Sequence, residues 1–184
     1  MAFSHLHPDH LGWAVHPARE GHGPLFARAE YLVAEPEWAQ RAQLEAGGTS
    51  KEALAALAPR VRTVTDGQEI FPGVQVRITA GHTAGHAEFV ITGRGTRLIA
   101  FGDSMHSPIQ VDHPDWSCVY DHDPARSADH RRRLVAELAE PDTIGFGIHF
   151  ADVVFGQVRQ DGHSPAWRPL DDRNAGDGRA PTTR

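Results

Sequence analysis

Cysteine is almost missing from this chain: Cys118 is the only one in 184 residues. A single thiol excludes an internal disulfide and suits a reducing compartment, so a cytoplasmic location is the expectation. Long apolar runs are missing too, and no segment approaches the length that spans a bilayer. The first residues, Met1 to His5, hold neither a basic nor an apolar stretch of the kind that leads a secretory signal. Positive charge is in deficit, with 18 Lys and Arg against 24 Asp and Glu, for a net charge of -6. That balance argues against a nucleic-acid surface, and neither nucleic acid nor membrane is an expected partner. No internal repeat is visible. With 40% apolar and 23% charged residues, the composition is that of one globular domain.

Histidine is in excess, with 13 in all, against two tyrosines. His5, His7 and His10 stand with Asp9 inside six positions. His5 and His7 are two apart, so an extended backbone points both the same way. Pro8 suits a turn that brings Asp9 and His10 round to the same cavity. Imidazole and carboxylate are the ligands of zinc and its neighbours.

Alternation at Val74, Val76 and Ile78 marks a strand that runs into Gly81-His82-Thr83-Ala84-Gly85-His86. Glu88 to Thr92 and Arg97 to Phe101 read as a hairpin about Gly93-Arg94-Gly95, with Gly102-Asp103 at its end. Tyr31 to Ala34 reads as a buried strand and Pro36 to Ala46 as a helix. Ser50 is placed to cap Lys51 to Leu57, and Asp123-Pro124 to start a helix with Leu134, Val135 and Leu138 on its apolar face. A short helix is expected from Leu11 to Val15. Thr143 to Ile148 reads as a strand ending at His149, and Val153 to Val158 as the last strand. Residues 16–27 read as an irregular loop, and 171–184 as a disordered polar tail after a domain over 1–170. The ligand-type residues His5, His82, Asp103 and His149 thus fall at strand ends, where α/β folds carry their chemistry.

These four segments, in this order, resemble the metallo-β-lactamase superfamily. Its His-x-His-x-Asp-His hallmark is matched by His5, His7, Asp9 and His10. Its Gly-His-x-x-Gly-His segment is matched by Gly81 to His86, its strand-end Asp by Asp103, and its late His by His149. The resemblance implies a four-layer αββα sandwich, mixed α and β. It implies that His5, His7 and His82 hold one divalent metal ion, that Asp9, His10 and His149 hold a second, and that Asp103 bridges them. Zinc is the expected metal, since a histidine at position 7 replaces the glutamate of the family's oxygen-reducing di-iron branch. A metal-bound hydroxide would attack an ester, lactone or phosphoester bond of a small-molecule substrate, with Asp9 moving the proton. Within the superfamily the resemblance is to lactonase and organophosphate-hydrolase-like proteins.

His86 is expected to orient the site, His106 and His113 to line the substrate pocket or face solvent, and Trp116 to form a pocket wall or join the core. Phe150 reads as core or pocket wall, and Cys118 as a small buried hydrophobe. His16, His22, His122, His130 and His163 read as surface residues, and Arg131-Arg132-Arg133 as a solvated helix face. The family's domain carries several strands ahead of the first hallmark, and here only Ala2-Phe3 and the starting Met precede it. The expectation is a chain that begins inside its own fold, from a start placed too late in a longer reading frame. It would leave an apolar sheet face uncovered, weaken solubility or metal affinity, and leave a homodimer as one way to cover that face. A non-catalytic metal-binding remnant is the alternative to the hydrolase.

Overall fold

A computed structural model describes residues 1–16, 23–162 and 164–170. His22, His163 and the proposed tail at 171–184 lie outside the described residues. In chain order the elements are α1 (Pro8–Val15), β1 (Tyr31–Ala34), α2 (Glu35–Ala39), α3 (Lys51–Leu57), β2 (Val61–Val64), β3 (Glu69–Phe71), β4 (Val74–Ile78), β5 (Ala87–Gly93), β6 (Thr96–Ala100), α4 (Ile109–Asp112), α5 (Pro124–Leu138), β7 (Thr143–Phe146), β8 (Phe155–Asp161) and β9 (Ser164–Pro169). Among the described residues no helix is long and apolar enough to cross a membrane.

The elements stack in four layers. Helices α1 and α3 pack on the parallel pair β1–β2 through Leu6, Leu11, Tyr31, Val33 and Leu57. Ala34 and Val64 of that pair meet Val76 and Ala87 of the larger sheet. That sheet has seven strands in the order β3 to β9, and its far face packs on α5 through Ile99, Phe101, Leu134, Leu138 and Trp167. The arrangement is the helix–sheet–sheet–helix sandwich expected, with the first sheet small.

Strand direction places the chemistry. β4 and β6 are both antiparallel to β5, and β6 is parallel to β7 through the α5 crossover. So β4, β6 and β7 all end at one sheet edge, and the segments carrying His82, Asp103 and His149 leave from it together. The Ser4 carbonyl accepts from the Ala87 N–H at 2.8 Å, which ties the His5 loop to the same edge.

Several expectations need correction. The helix at residues 8–15 begins at Pro8 itself, whose fixed φ and missing N–H suit the first helical position. The helix expected over 36–46 breaks at Gln40 and continues as a 3-10 turn, Arg41–Gly47. β2 and β3 carry too few alternating apolar residues to show as strands; pairing with β1 and β4 makes them so. β8 is not the last strand, because β9 pairs with it over six residues. Arg131 and His130 are not a solvated face: Arg131 is fully buried and the His130 Nε2 lies 2.6 Å from buried Glu88. His16 and His122 are exposed, as read from the sequence.

The larger sheet keeps one stretch of its inner face open. Phe89, Ala100, Phe146 and Ile148 line a cleft of about 560 Å³ with Phe3 and Trp13, and Asp9 and His10 stand at its mouth.

Candidate metal centre

Three braces hold the loop that carries His5 and His7. The Leu6 N–H donates to Glu37 Oε1 at 3.0 Å, and the Leu6 carbonyl accepts from Thr49 Oγ1 at 2.7 Å. The third is the Ser4–Ala87 hydrogen bond. Glu37 reaches further: its Oε2 accepts from Thr83 Oγ1 at 2.6 Å and from the Gly85 N–H at 3.0 Å. One buried carboxylate thereby fastens the His5 loop to the His82 loop. Gly85 must be glycine for this contact, since a Cβ there would fall 2.0 Å from the Glu37 nitrogen.

Among the described residues three groups of ligand atoms result: two share Asp103, and the third is His82 with His106 and Cys118. In the first, His7 Nδ1 lies 3.0 Å from His5 Nε2 and 3.1 Å from His82 Nε2. Asp103 Oδ2 closes the group at 3.7 Å from His5 Nε2 and 3.4 Å from His82 Nε2. In the second, Asp103 Oδ1 lies 3.1 Å from His10 Nε2 and 3.2 Å from His149 Nε2. Asp9 Oδ2 completes it at 3.4 Å and 3.7 Å from the same two nitrogens. Four ligands set tetrahedrally at zinc-type bond lengths stand about 3.3 Å apart, so both groups fit such an ion.

In the second group hydrogen bonding does not account for the convergence. His10 Nε2, His149 Nε2 and Asp103 Oδ1 are buried atoms without a hydrogen bond among the described residues, although they are 3.1–3.2 Å apart. Close approach without aligned donors is what lone pairs aimed at a common cation produce.

Charge states suit the same role at two of the imidazoles; the third, His82, is raised to about 9 because hydrogen bonds with Asp121 and Cys118 outweigh burial, so an ion there displaces a proton. Burial, then the neighbouring His86, holds His5 well below the ordinary imidazole range. Burial, then His82, lowers His7 to about 4. Both are neutral at pH 7, the form that offers a lone pair. Burial alone would raise Asp103; the close imidazoles of His10, His106 and His5 outweigh it and hold the carboxylate well below its ordinary range.

His86 stands one step behind. Its Nε2 accepts from the Asp103 N–H at 3.0 Å and its Nδ1 lies 2.8 Å from Thr79 Oγ1. It orients Asp103 through the backbone. Gly102 sits at φ +50°, and a Cβ there would meet His86 Nε2 at 2.8 Å. His106 reaches Asp103 Oδ2 at 3.2 Å and stacks on His149. Cys118 is not simply a buried hydrophobe: its Sγ lies 3.8 Å from His106 Nε2 and 3.6 Å from Asp121 Oδ1. His113 and Trp116 are not brought in. They stack on each other at 4.2 Å, Trp116 exposed and His113 half-buried, with no hydrogen bond, ion pair or ring contact to the cluster among the described residues. Phe150 is core, packed on Phe101 and Trp167.

Sequence reading missed Glu37, Asp121 and Arg131. For Arg131 a signal existed: it sits on the stripe formed by Ala128, Leu134, Val135 and Leu138, where a charge must find a buried partner. For Glu37 and Asp121 none did.

The metallo-beta-lactamase superfamily profile matches residues 2–147. No curated protein matches the chain. Among solved structures, it is similar to AidC, a dizinc quorum-quenching lactonase in complex with a product, at TM-score 0.78 and 22% identity, covering 92% of this chain and 63% of that one. It is similar to AbOPH, a hydrolase in the beta-lactamase superfamily, at 0.78 and 28%, with the same coverage. A probable metal-dependent hydrolase from Staphylococcus aureus gives 0.77 and 20%, covering 92% and 61%. The chain therefore spans under two thirds of the length of each of these three. The matched profile, the layered fold and the His/Asp cluster at one sheet edge together show that the chain belongs to the metallo-beta-lactamase superfamily.

Proposed function

We propose that this chain forms the metal-binding part of a dinuclear hydrolase that cleaves an ester, lactone or phosphoester bond in a small molecule. One observation carries the reading: two four-atom ligand groups that meet at the two oxygens of Asp103. His5, His7 and His82 would hold one divalent ion and Asp9, His10 and His149 the other, with zinc the metal their chemistry suits best. Such ions lower the pKa of water towards ~7 and polarise the scissile oxygen. Asp103 spans both groups, and the imidazoles around it keep it ionised, so its charge balances them. Asp9 is the most exposed of the seven, at the mouth of the cleft, where its carboxylate can accept and return a proton. Phe89, Phe146 and Ile148 offer an apolar wall beside it, in a cleft of a size that suits a small ligand. The similar structures, lactonases and hydrolases among them, support the reaction class. The lone thiol is consistent with a cytoplasmic setting.

The test is metal content followed by turnover of a lactone, an aryl ester and an organophosphate. Two zinc equivalents, hydrolysis of at least one substrate, and loss of both in His7→Ala and Asp103→Asn are expected. No metal uptake overturns the reading. The open cleft favours a second one, a non-catalytic metal-binding remnant, for which metal uptake without any turnover is the signature.

A further inference from the structure

Behind His82 lies a buried ion pair that the catalytic reading does not use. Asp121 Oδ1 stands 3.0 Å from His82 Nδ1, and Asp121 Oδ2 accepts from Arg131 at 3.1 Å. The side chains of both members are 0% exposed. The guanidinium spends its other donors on neutral groups: Nε–H donates to the Pro114 carbonyl at 2.7 Å and an NH2 group to Ser117 Oγ at 2.6 Å. Asp121 is therefore the counter-ion of Arg131, and ionised it can only accept. The loop that carries it is sewn to the His82 loop by the backbone: His122 N–H donates to the His82 carbonyl at 3.0 Å, and Asp123 N–H to the Gly81 carbonyl at 2.8 Å.

We infer that Asp121, held by Arg131, is a positioning residue that keeps the His82 proton on Nδ1 and its ring turned so that Nε2 faces the metal cluster. This rests on the reading of His82 as a metal ligand. An acceptor-only partner at Nδ1 leaves one neutral tautomer, with the lone pair on Nε2, 3.1 Å from His7 Nδ1. Stability alone does not explain the pair. Two charges in the interior cost several kcal/mol to desolvate, and on a stripe of Ala128, Leu134, Val135 and Leu138 an apolar residue would pack as well or better.

Two variants test it. Asp121→Asn leaves the Arg131 charge buried without its counter-ion, so the double variant Asp121→Leu/Arg131→Met serves where the single one does not fold. In the double variant no charge is stranded, and thermal stability of the metal-free protein should match or exceed that of the parent. Zinc affinity, by chelator competition, should fall about 10- to 100-fold for one equivalent and stay within twofold for the other. Nitrogen-15 spectra of the histidine rings should show His82 losing its fixed Nδ1–H form. Wild-type affinity for both equivalents, or an unchanged His82 tautomer in a folded variant, overturns the inference and leaves the metal centre standing. A parent chain that takes up no zinc overturns both.

Discussion

The two halves of the cluster are built differently. In the His5, His7 and His82 half, His5 and His82 are buried and their rings are gripped from behind, while His7 is half-buried. Ser4 lies 3.2 Å from His5 Nδ1, Asp121 holds His82, and Glu37 ties the two loops together. The Asp9, His10 and His149 half faces the cleft. His149 is about one third exposed, and the Nε2 atoms of His10 and His149 make no hydrogen bond among the described residues. The first half is preorganised by the protein itself, so binding there costs little reordering. The second depends on its ion and on whatever fills the cleft.

Glu37→Ala breaks the contrast most directly. It strands the Leu6 and Gly85 N–H groups and the Thr83 hydroxyl in the interior, which should cost about 3 kcal/mol or more in the metal-free protein. Urea unfolding measures it. Zinc affinity of the gripped half should fall with it. A variant as stable as the parent would mean that the bracing is incidental.

Acid sharpens the contrast next. Burial, more than its neighbours, lowers His86 to about 3. In Glu88, burial would raise the pKa, but the hydrogen bond and charge of His130 and the charge of Arg77 prevail and lower it to about 2. In both cases the unfolded chain binds more protons than the native one. For His86 the stabilisation is complete above the ordinary value of 6.5 and is lost as pH falls towards 3. For Glu88 it is complete above 4.5 and is lost towards 2. The urea midpoint of the metal-free protein should therefore decline in two stages on acidification. His86→Gln should shrink the upper stage, to which His5 and His7 also contribute, while sparing the lower.

The smallest effect belongs to the open half. Ile148 is 50% exposed at the cleft rim, so Ile148→Ser should change stability by within about 0.5 kcal/mol. It should reduce concentration-dependent association in sedimentation, because it removes apolar surface that another molecule can cover. Unchanged association would show that this face is not what brings copies together.

Much is legible in the sequence. His5, His7, Asp9 and His10 announce metal chemistry through residue type and spacing alone. Alternation reveals β4, Ser50 caps α3 by accepting from the Ala53 N–H, and Asp123 caps α5 through the Arg126 N–H. These signals are local, acting over two to four residues, so they survive in a linear text. What the tertiary structure decided is non-local. Glu37 meets Leu6 across 31 positions and Asp121 meets His82 across 39. An Asp or Glu looks the same in sequence whether water or a buried N–H receives its charge. His113 and Trp116 sit between Asp103 and α5 in the chain, yet the loop turns them outward. Even the shared role of Asp103 depends on β4, β6 and β7 ending at one edge, which strand pairing sets and the residue beside a glycine does not. The sequence by itself determined which atoms could bind a cation. Only the packing of strands and the burial of paired charges decided which of them meet, and how firmly each is held.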